Sequence, residues 1–344
     1  MKKAVFINYG GIGDEILFLP TLKSFKKTYP DVEITLVLEP RSKCVKDLTN
    51  LVNNVIECDI KSKNKIQEVI KLVLKLQKGR YDVVISSGAS PLVSIILFLM
   101  GIKKRYGYDT GLLSRILLTK AVKLNKKQYA ANMYHDLISG VCDLQAELPE
   151  IEIENNFHTN PNKLPEIFEM PEFPTEKKIV LIHPGSSKLS KEKNIIKGFN
   201  DWAKLIKKLQ NSDKYTVLLV GGSDDNEVIT QITKDIDGKN FINFFGKTKN
   251  IKHLVKIMKK ADLCLCIDSA PMHIAVGLRK KLIAIFGPTD EKKLLPCSDL
   301  FVPITKNVEC RPCLWDKRSE VCENVKCLEI SAETVFEAIE KILC

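Results

Sequence analysis

The chain has 344 residues and a mass of 38.9 kDa; it is 44% hydrophobic and 28% charged, with a formal net charge of +11 and a pI near 9.0. With a mean hydropathy of −0.06, these values exclude a disordered, collagenous or polytopic membrane chain. They suit two globular domains, each long enough to bury its own core. The basic excess is almost all lysine, 46 Lys against 7 Arg. Proteins that read nucleic-acid sequence lean on arginine for bidentate contacts, so the charge by itself reads as a solvated lysine surface.

Met1-Lys2-Lys3 and the apolar Ala4 to Ile7 begin like a secretion signal, but Asn8, three glycines and Asp14-Glu15 interrupt the run early. The longest apolar run, Leu92 to Ile102, is shorter than the roughly 20 residues of a membrane-spanning helix. The expectation is a cytoplasmic protein whose eleven cysteines are free thiols or metal ligands.

From the N-terminus, β-branched apolar runs alternate with amphipathic stretches, the pattern of a parallel α/β sheet. Strands are predicted at Ala4–Asn8, Glu33–Leu38, Val55–Glu57, Asp82–Ser86 and Arg105–Tyr108. Helices are predicted at Asp14–Thr28, Lys65–Lys78 and Tyr129–Asp143. Pro161, Pro165, Pro171 and Pro174 then mark a linker. A second series follows, with strands at Ile179–His183, Thr216–Val220, Asn240–Phe244, Leu263–Ile267 and Leu282–Phe286. Its helices are predicted at Gly198–Asn211, Asp225–Asp237, Ile251–Lys260, Ala270–Gly277 and Ala332–Leu343. The predicted organisation is a first domain over 1–160, a linker over 161–178, a second domain over 179–330 and a terminal helix over 331–344. Both domains are expected to be doubly wound, with ligands at the carboxyl ends of their strands and a cleft between them.

Four strand-end loops carry chemistry. After the first strand, Gly10, Gly11 and Gly13 allow a sharp turn and close approach of a ligand, and Asp14 follows at a helix start. A helix N-terminus stabilises negative charge, so Asp14 is either a helix cap or a general base. His183-Pro184-Gly185-Ser186-Ser187, with Lys188, Lys191 and Lys193 following, offers amides, hydroxyls and ammonium groups to a pyrophosphate, or is an ordinary β–α turn. In Asp268-Ser269-Ala270-Pro271-Met272-His273, Ser269 is a candidate N-cap and Asp268 a candidate ligand for sugar hydroxyls; His273 faces core or cleft. Phe286-Gly287-Pro288-Thr289-Asp290 is the fourth strand-end turn.

Two patterns are set aside. Asp235-Ile236-Asp237 has the spacing of metal-dependent sugar transferases but reads as a helix stop beside Gly238. His183 and His273 lie at different strand ends without metal-ligand spacing. Near the C-terminus, Cys310, Cys313, Cys322 and Cys327 have spacing similar to a small zinc site, against the alternative of a compact loop with buried thiols.

Taken in order, these segments resemble glycosyltransferase family 9, the ADP-heptose:lipopolysaccharide heptosyltransferases. The resemblance runs from Gly11-Ile12-Gly13-Asp14, Leu19-Pro20-Thr21 and Tyr29-Pro30-Asp31 through the His183 loop, Val220-Gly221-Gly222 and Phe245-Gly246-Lys247-Thr248. It ends in the Asp268 and Gly287 loops. It implies a GT-B fold, α/β, with an acceptor domain followed by a nucleotide-sugar domain. It also implies inverting transfer with no metal and no cofactor. Asp14 matches the family's proposed base. Gly185, Ser186, Ser187, Lys191 and Lys193 fall where the donor phosphates bind, although the usual Trp-Pro after the lysine is absent here. Glu227, Thr248, Asp268, Ser269, Ala270, Met272 and His273 fall at the donor nucleoside and sugar; Ala270 replaces the usual glycine. Gly11, Gly13, Lys61, Lys65, Lys103, Lys104 and Arg105 are assigned to the acceptor.

The partners expected are therefore ADP-heptose and a lipid A–core oligosaccharide or similar anionic glycolipid. Peripheral contact with the cytoplasmic face of the inner membrane is expected as well, and no nucleic acid. The sequence leaves two alternatives: another GT-B enzyme, such as a nucleotide-sugar epimerase or a transferase of a different sugar, and a basic binding module for nucleic acid. The second lacks aromatics interleaved with its lysines.

The charge is spread, with +6 in residues 1–160 and +5 in the remainder. Within the first domain, residues 101–130 hold eight basic side chains against Asp109 alone. An anionic lipid glycan or leaflet would attract such a segment.

Overall fold

The structure is a computed structural model that describes residues 1–153, 176–186, 198–234, 236, 238–314, 322 and 325–344. The chain divides into two compact units, Met1–Glu154 and Asn155–Cys344. Most of the Pro-rich stretch 161–178, and Asp235 and Asp237, lie outside the described residues.

In the first unit the order is β1 (Lys3–Ile7), α1 (Ile12–Thr28), β2 (Glu33–Leu38), a 3-10 segment at Pro40–Leu48, β3 (Asn54–Glu57), α2 (Lys65–Lys78), β4 (Val83–Ser86), α3 (Pro91–Leu99), β5 (Lys104–Tyr108), α4 (Leu112–Leu117), β6 (Lys120–Val122) and α5 (Ala130–His135). The strands form one parallel sheet in the order β3-β2-β1-β4-β5-β6. Both faces of a parallel sheet are covered by its crossover helices, so its strands read as apolar runs. Alternate side chains of β1 show the two layers. Phe6 meets Phe25 of α1 edge-on with ring centroids 5.1 Å apart. Val5 and Ile7 point the other way, into a cluster with Leu72 and Leu76 of α2 and Leu97 of α3.

The second unit runs β7 (Lys178–His183), α6 (Trp202–Asn211), β8 (Tyr215–Leu219), α7 (Asn226–Thr233), β9 (Phe241–Asn243), α8 (Ile251–Lys260), β10 (Leu263–Ile267), α9 (Ala270–Gly277), β11 (Lys281–Phe286), α10 (Glu291–Leu294), β12 (Phe301–Thr305) and α11 (Ala332–Leu343). Its sheet order, β9-β8-β7-β10-β11-β12, repeats that of the first unit strand for strand. Trp202, Leu205, Ile206 and Leu209 of α6 pack with Val335 and Ile339 of α11 into one core.

Four elements depart from expectation. The helix predicted over Tyr129–Asp143 stops at His135, tightens into a 3-10 turn at Asp136–Ile138, and gives way at Gly140, whose φ of +81° belongs to the left-handed region. The apolar run at Leu92 contains α3, which begins with Pro91 in its first turn, where a missing N–H costs nothing. Strands β6 and β12 complete the sheet edges, β12 with Pro303 in its middle, which an edge strand tolerates.

Candidate functional site

In the first unit the loop after β1 brings Asp14 to the carboxyl edge of the sheet. Asp14 lies in the first turn of α1, and its Oδ2 accepts a hydrogen bond of 2.8 Å from the Gly11 N–H. That is the reciprocal half of a capping box. The other carboxylate oxygen, Oδ1, accepts a 3.4 Å hydrogen bond from the Tyr134 hydroxyl of α5. Asp14 is half-buried, so it is both cap and accessible carboxylate. The turn requires glycine at position 10, because a Cβ there would lie 2.2 Å from the Asp14 Cβ. The 3-10 segment after β2 closes over the turn, with the Ser42 hydroxyl donating to the Gly10 carbonyl at 2.8 Å.

Tyr134 is fixed by an edge-to-face contact with Phe18, centroids 5.4 Å apart. Burial first, and then the Asp14 charge, push its phenol well above the usual tyrosine range, so it remains a hydrogen-bond donor. The next residue along α1, Glu15, is buried, and its carboxyl is driven well above the ordinary range, chiefly by desolvation and also by the Asp14 charge. Burial therefore favours the protonated form of this acid.

A second carboxylate, Glu39, is buried nearby and was not legible in the sequence. It holds the Lys61 Nζ at 2.8 Å and also pairs with Arg41. The Arg41 guanidinium reaches the glycine turn, 3.7 Å from where a Cβ on Gly11 would stand. Glu39 thus holds two cations at the edge where Asp14 also stands. Gly11, Gly13 and Lys61 thus belong to the same edge as Asp14, and Lys65 opens α2 beyond the end of β3.

Lys103, Lys104 and Arg105 correct the expectation. Lys104 opens β5 opposite Val83, which itself pairs with Ala4 at the start of β1. These residues therefore lie at the opposite edge of the sheet from Asp14, at least roughly 13 Å away at 3.3 Å per residue. Arg105 is further committed to backbone, donating from Nε to Leu117 O at 2.8 Å and from Nη1 to Ile102 O at 2.6 Å. Lysine content showed the charge in sequence but not which end of the strand would carry it.

In the second unit the hub is Asp225, at the loop after β8. It is 3% exposed, its Oδ2 accepts from the Gly222 N–H at 2.9 Å, and the His183 Nε2 at the end of β7 lies 3.4 Å from the same oxygen. Gly185 is required beside it, since a Cβ there would sit 1.7 Å from Asp225 Oδ1. Asp225 thus ties the His183-Pro184-Gly185 loop to the Gly221-Gly222 turn. Ser186 follows half-buried, whereas Ser187, Lys191 and Lys193 lie outside the described residues.

Glu227 is exposed in the first turn of α7, and Thr248 is half-buried in the loop after β9. Asp268 is buried at the end of β10, its backbone N–H donating to Ile285 O at 3.3 Å. The expected Ser269 cap is not formed: its hydroxyl donates back to Ile267 O at 3.1 Å, which leaves the first turn of α9 without a side-chain cap. Ala270 opens that turn half-buried. Met272 is fully buried, so it supports α9 from the core rather than offering atoms to a ligand; His273 is buried too. The fourth loop is an anchor. Arg311 donates to Gly287 O, Thr289 O and Glu291, and the Cys313 N–H donates to Pro288 O. The Cys313 and Cys327 thiols are raised by burial and by their neighbouring cysteines; among the described residues no group of three or more His, Cys, Asp or Glu is arranged to hold a metal ion.

Residues 69–323 match glycosyltransferase family 9 (heptosyltransferase). The chain belongs to this family. It is 24% identical over 96% of its length to lipopolysaccharide heptosyltransferase 3 of Escherichia coli strain K12, of which it covers 95%. Among solved structures, it superposes on E. coli ADP-heptose lps heptosyltransferase II with a TM-score of 0.72 at 19% identity, covering all of this chain and 98% of that one. E. coli heptosyltransferase WaaC, solved with ADP-2-deoxy-2-fluoro heptose, gives 0.70 at 17% identity over 98% of this chain and 99% of that one. The fold is therefore GT-B, and the protein is a glycosyltransferase. The nucleic-acid module considered from charge alone gives way to this assignment, and an epimerase is not favoured.

Proposed function

We propose that this glycosyltransferase 9 member transfers a heptose from ADP-heptose to a lipopolysaccharide core or similar lipid-linked oligosaccharide, with inversion at the anomeric carbon. The relatives named above support the sugar and the acceptor class. One observation carries the mechanism: Asp14 is a half-buried carboxylate at a strand end, held on one oxygen by the Gly11 N–H and on the other by Tyr134. Oriented in this way, it accepts the proton of the acceptor hydroxyl as that oxygen attacks the anomeric carbon and the nucleoside diphosphate leaves. Gly11, Gly13, Lys61 and Lys65 frame the acceptor, the two lysines supplying charge for an anionic glycan.

On the donor side, Gly185 and Ser186, with Ser187, Lys191 and Lys193, receive the diphosphate and offset the charge that grows on it. Glu227 and Thr248 approach the nucleoside; Asp268, Ser269 and Ala270 meet the sugar, with His273 behind them. The lipid-linked acceptor places the protein at the cytoplasmic face of the inner membrane as a peripheral protein. No helix among the described residues is long and apolar enough to cross a membrane.

The decisive experiment measures sugar transfer from ADP-heptose, and from a panel of other nucleotide sugars, to a lipid-linked core acceptor. Wild type should turn over with ADP-heptose; Asp14→Ala should abolish transfer and retain donor binding. Normal turnover by that variant would overturn the mechanism, and a preference for another nucleotide sugar would overturn the donor. Incubation with donor alone should leave it unchanged.

A further inference from the structure

Large apolar side chains are exposed on three consecutive helices of the first unit, all in the layer that covers one face of its sheet. On α2, Ile66, Ile70 and Leu74 recur every fourth residue and form an outward stripe, while Leu72 and Leu76 of the same helix are buried against the sheet. On α3, Leu92, Phe98 and Leu99 face outward, while Leu97 enters the same buried cluster. On α4, Leu112 is 73% exposed and Ile116 66%. Leu113 of α4 is exposed as well; apart from these helices, the described residues hold two exposed large hydrophobics, Leu144 and Leu300. A single exposed leucine needs no explanation, but a contiguous patch marks an interaction site.

The three helices are stitched into one surface. The Gln77 side chain of α2 donates to Leu99 O of α3 at 2.7 Å. Arg105 lies 5.5 Å over the Phe98 ring of α3 and donates to Leu117 O at the end of α4. The patch is therefore built and rigid, not a frayed end.

Its charge identifies the partner. Lys103 and Lys104 are exposed directly after α3, at the sheet edge that Asp14 does not use. Lys65, Lys71, Lys75 and Lys78 lie on α2. Asp109 of the loop before α4 is already paired with Arg115 at 2.8 Å. Two copies of the chain meeting through this face would set its lysines against one another, because a two-fold contact pairs a surface with itself. An anionic bilayer meets both needs, with headgroups for the lysines and an acyl boundary for leucine, isoleucine and phenylalanine. The nine residues of α3 rise about 14 Å, which suits a helix lying in the interface and not one crossing it.

We propose that the outer face of α2, α3 and α4, rimmed by Lys103 and Lys104, is the surface by which this protein lies on an anionic phospholipid membrane. This rests on the membrane contact proposed above and says which residues make it. It also gives Lys103 and Lys104 a task that their distance from Asp14 denies them at the acceptor.

The test is co-sedimentation of the full chain with vesicles of phosphatidylcholine alone and of phosphatidylcholine with phosphatidylglycerol. No glycan is present, so the result is independent of the sugar and acceptor. Wild type should partition onto the anionic vesicles and weaken with added salt. The double substitution Leu112→Glu and Ile116→Glu should cut partitioning by at least about tenfold, since each side chain loses its burial. Lys103→Glu with Lys104→Glu should cut it by several-fold and steepen neither ADP binding nor unfolding. Both sets change exposed positions, and thermal unfolding within a few degrees of wild type confirms the fold. Failure of wild type to bind, equal binding to both vesicle types, or unchanged binding by the leucine and isoleucine variant would overturn the proposal. So would a concentration-dependent dimer dissolved by that variant, which would make a second copy the occupant. Asp14-dependent transfer to a soluble, delipidated acceptor is measured in parallel; its loss would count against the sugar reading, not against this surface.

Discussion

Each unit contains a Gly-Gly-x-x-Asp turn at a strand end: Gly10 to Asp14 after β1, and Gly221 to Asp225 after β8. In both, the second glycine donates its N–H to Oδ2 of the aspartate, at 2.8 Å and 2.9 Å. In both, the first glycine lies against the aspartate Cβ. The surroundings differ. Asp225 is sealed under the His183 and Gly185 loop, whereas Asp14 keeps an oxygen toward Tyr134 at a half-open edge. One turn therefore gives a structural tie in the second unit and, in the mechanism proposed above, a proton acceptor in the first. The glycine hydrogen bond is the same in both, so access and the second partner set them apart.

Substitutions can break this comparison, the largest expected effect first. Asp14→Asn keeps the size of the side chain and removes the base, so kcat should fall by about 10²- to 10⁴-fold while donor affinity holds. Steady-state kinetics beside donor titration read the two apart. Asp225→Ala should act on stability instead: leaving the Gly222 N–H and His183 without their buried partner costs about 1–3 kcal/mol. Urea unfolding measures it, and an intact stability with a collapsed kcat would reverse the two roles assigned here.

Tyr134→Phe is smaller. It removes one long hydrogen bond to Asp14 without opening a cavity, so kcat should drop by up to about tenfold with KM little changed. A purely packing role for Tyr134 would lower the unfolding temperature and leave kcat in place. The smallest effect is that of Glu15→Gln. The folded chain keeps a proton on Glu15 that the unfolded chain releases above the ordinary carboxylate range. Wild-type stability should therefore decline as pH rises above the ordinary carboxylate range, and the amide should flatten that decline. Melting temperatures of both proteins across pH 5 to 9 check the sign.

Much of this was legible in the sequence wherever the signal is local. The bounds of α2, α8, α9 and α11 follow from periodicity and end signals, those of β2 from a β-branched run and those of β10 from a short apolar run bounded by Asp262 and Asp268. Asp14 is legible because a glycine turn before a helix is a local pattern. What escaped is tertiary. Tyr134 is 120 residues from Asp14, and only the packing of α5 on α1 brings them together. Glu39 and Asp225 look like surface acids until burial shows otherwise. The α3 run has no helical periodicity because it is apolar on its inner and outer faces alike. The charge of Lys103 and Lys104 is legible in the sequence, but the register of β5, which puts them at the opposite sheet edge from Asp14, is not.

The shared strand order has a consequence for how the chain is made. In each unit the strand synthesised first ends in the middle of the sheet, with later strands added outward on one side and then on the other. β1 is already spoken for on both flanks, by β2 and by β4. As the nascent chain lengthens, each new strand meets an existing parallel edge, and its crossover helix covers the growing face as it arrives. The first unit can close its outermost strand, β6, before any strand of the second has left the ribosome. Its exposed helical face, the surface proposed above to meet lipid, is then in place while the second unit is still being built.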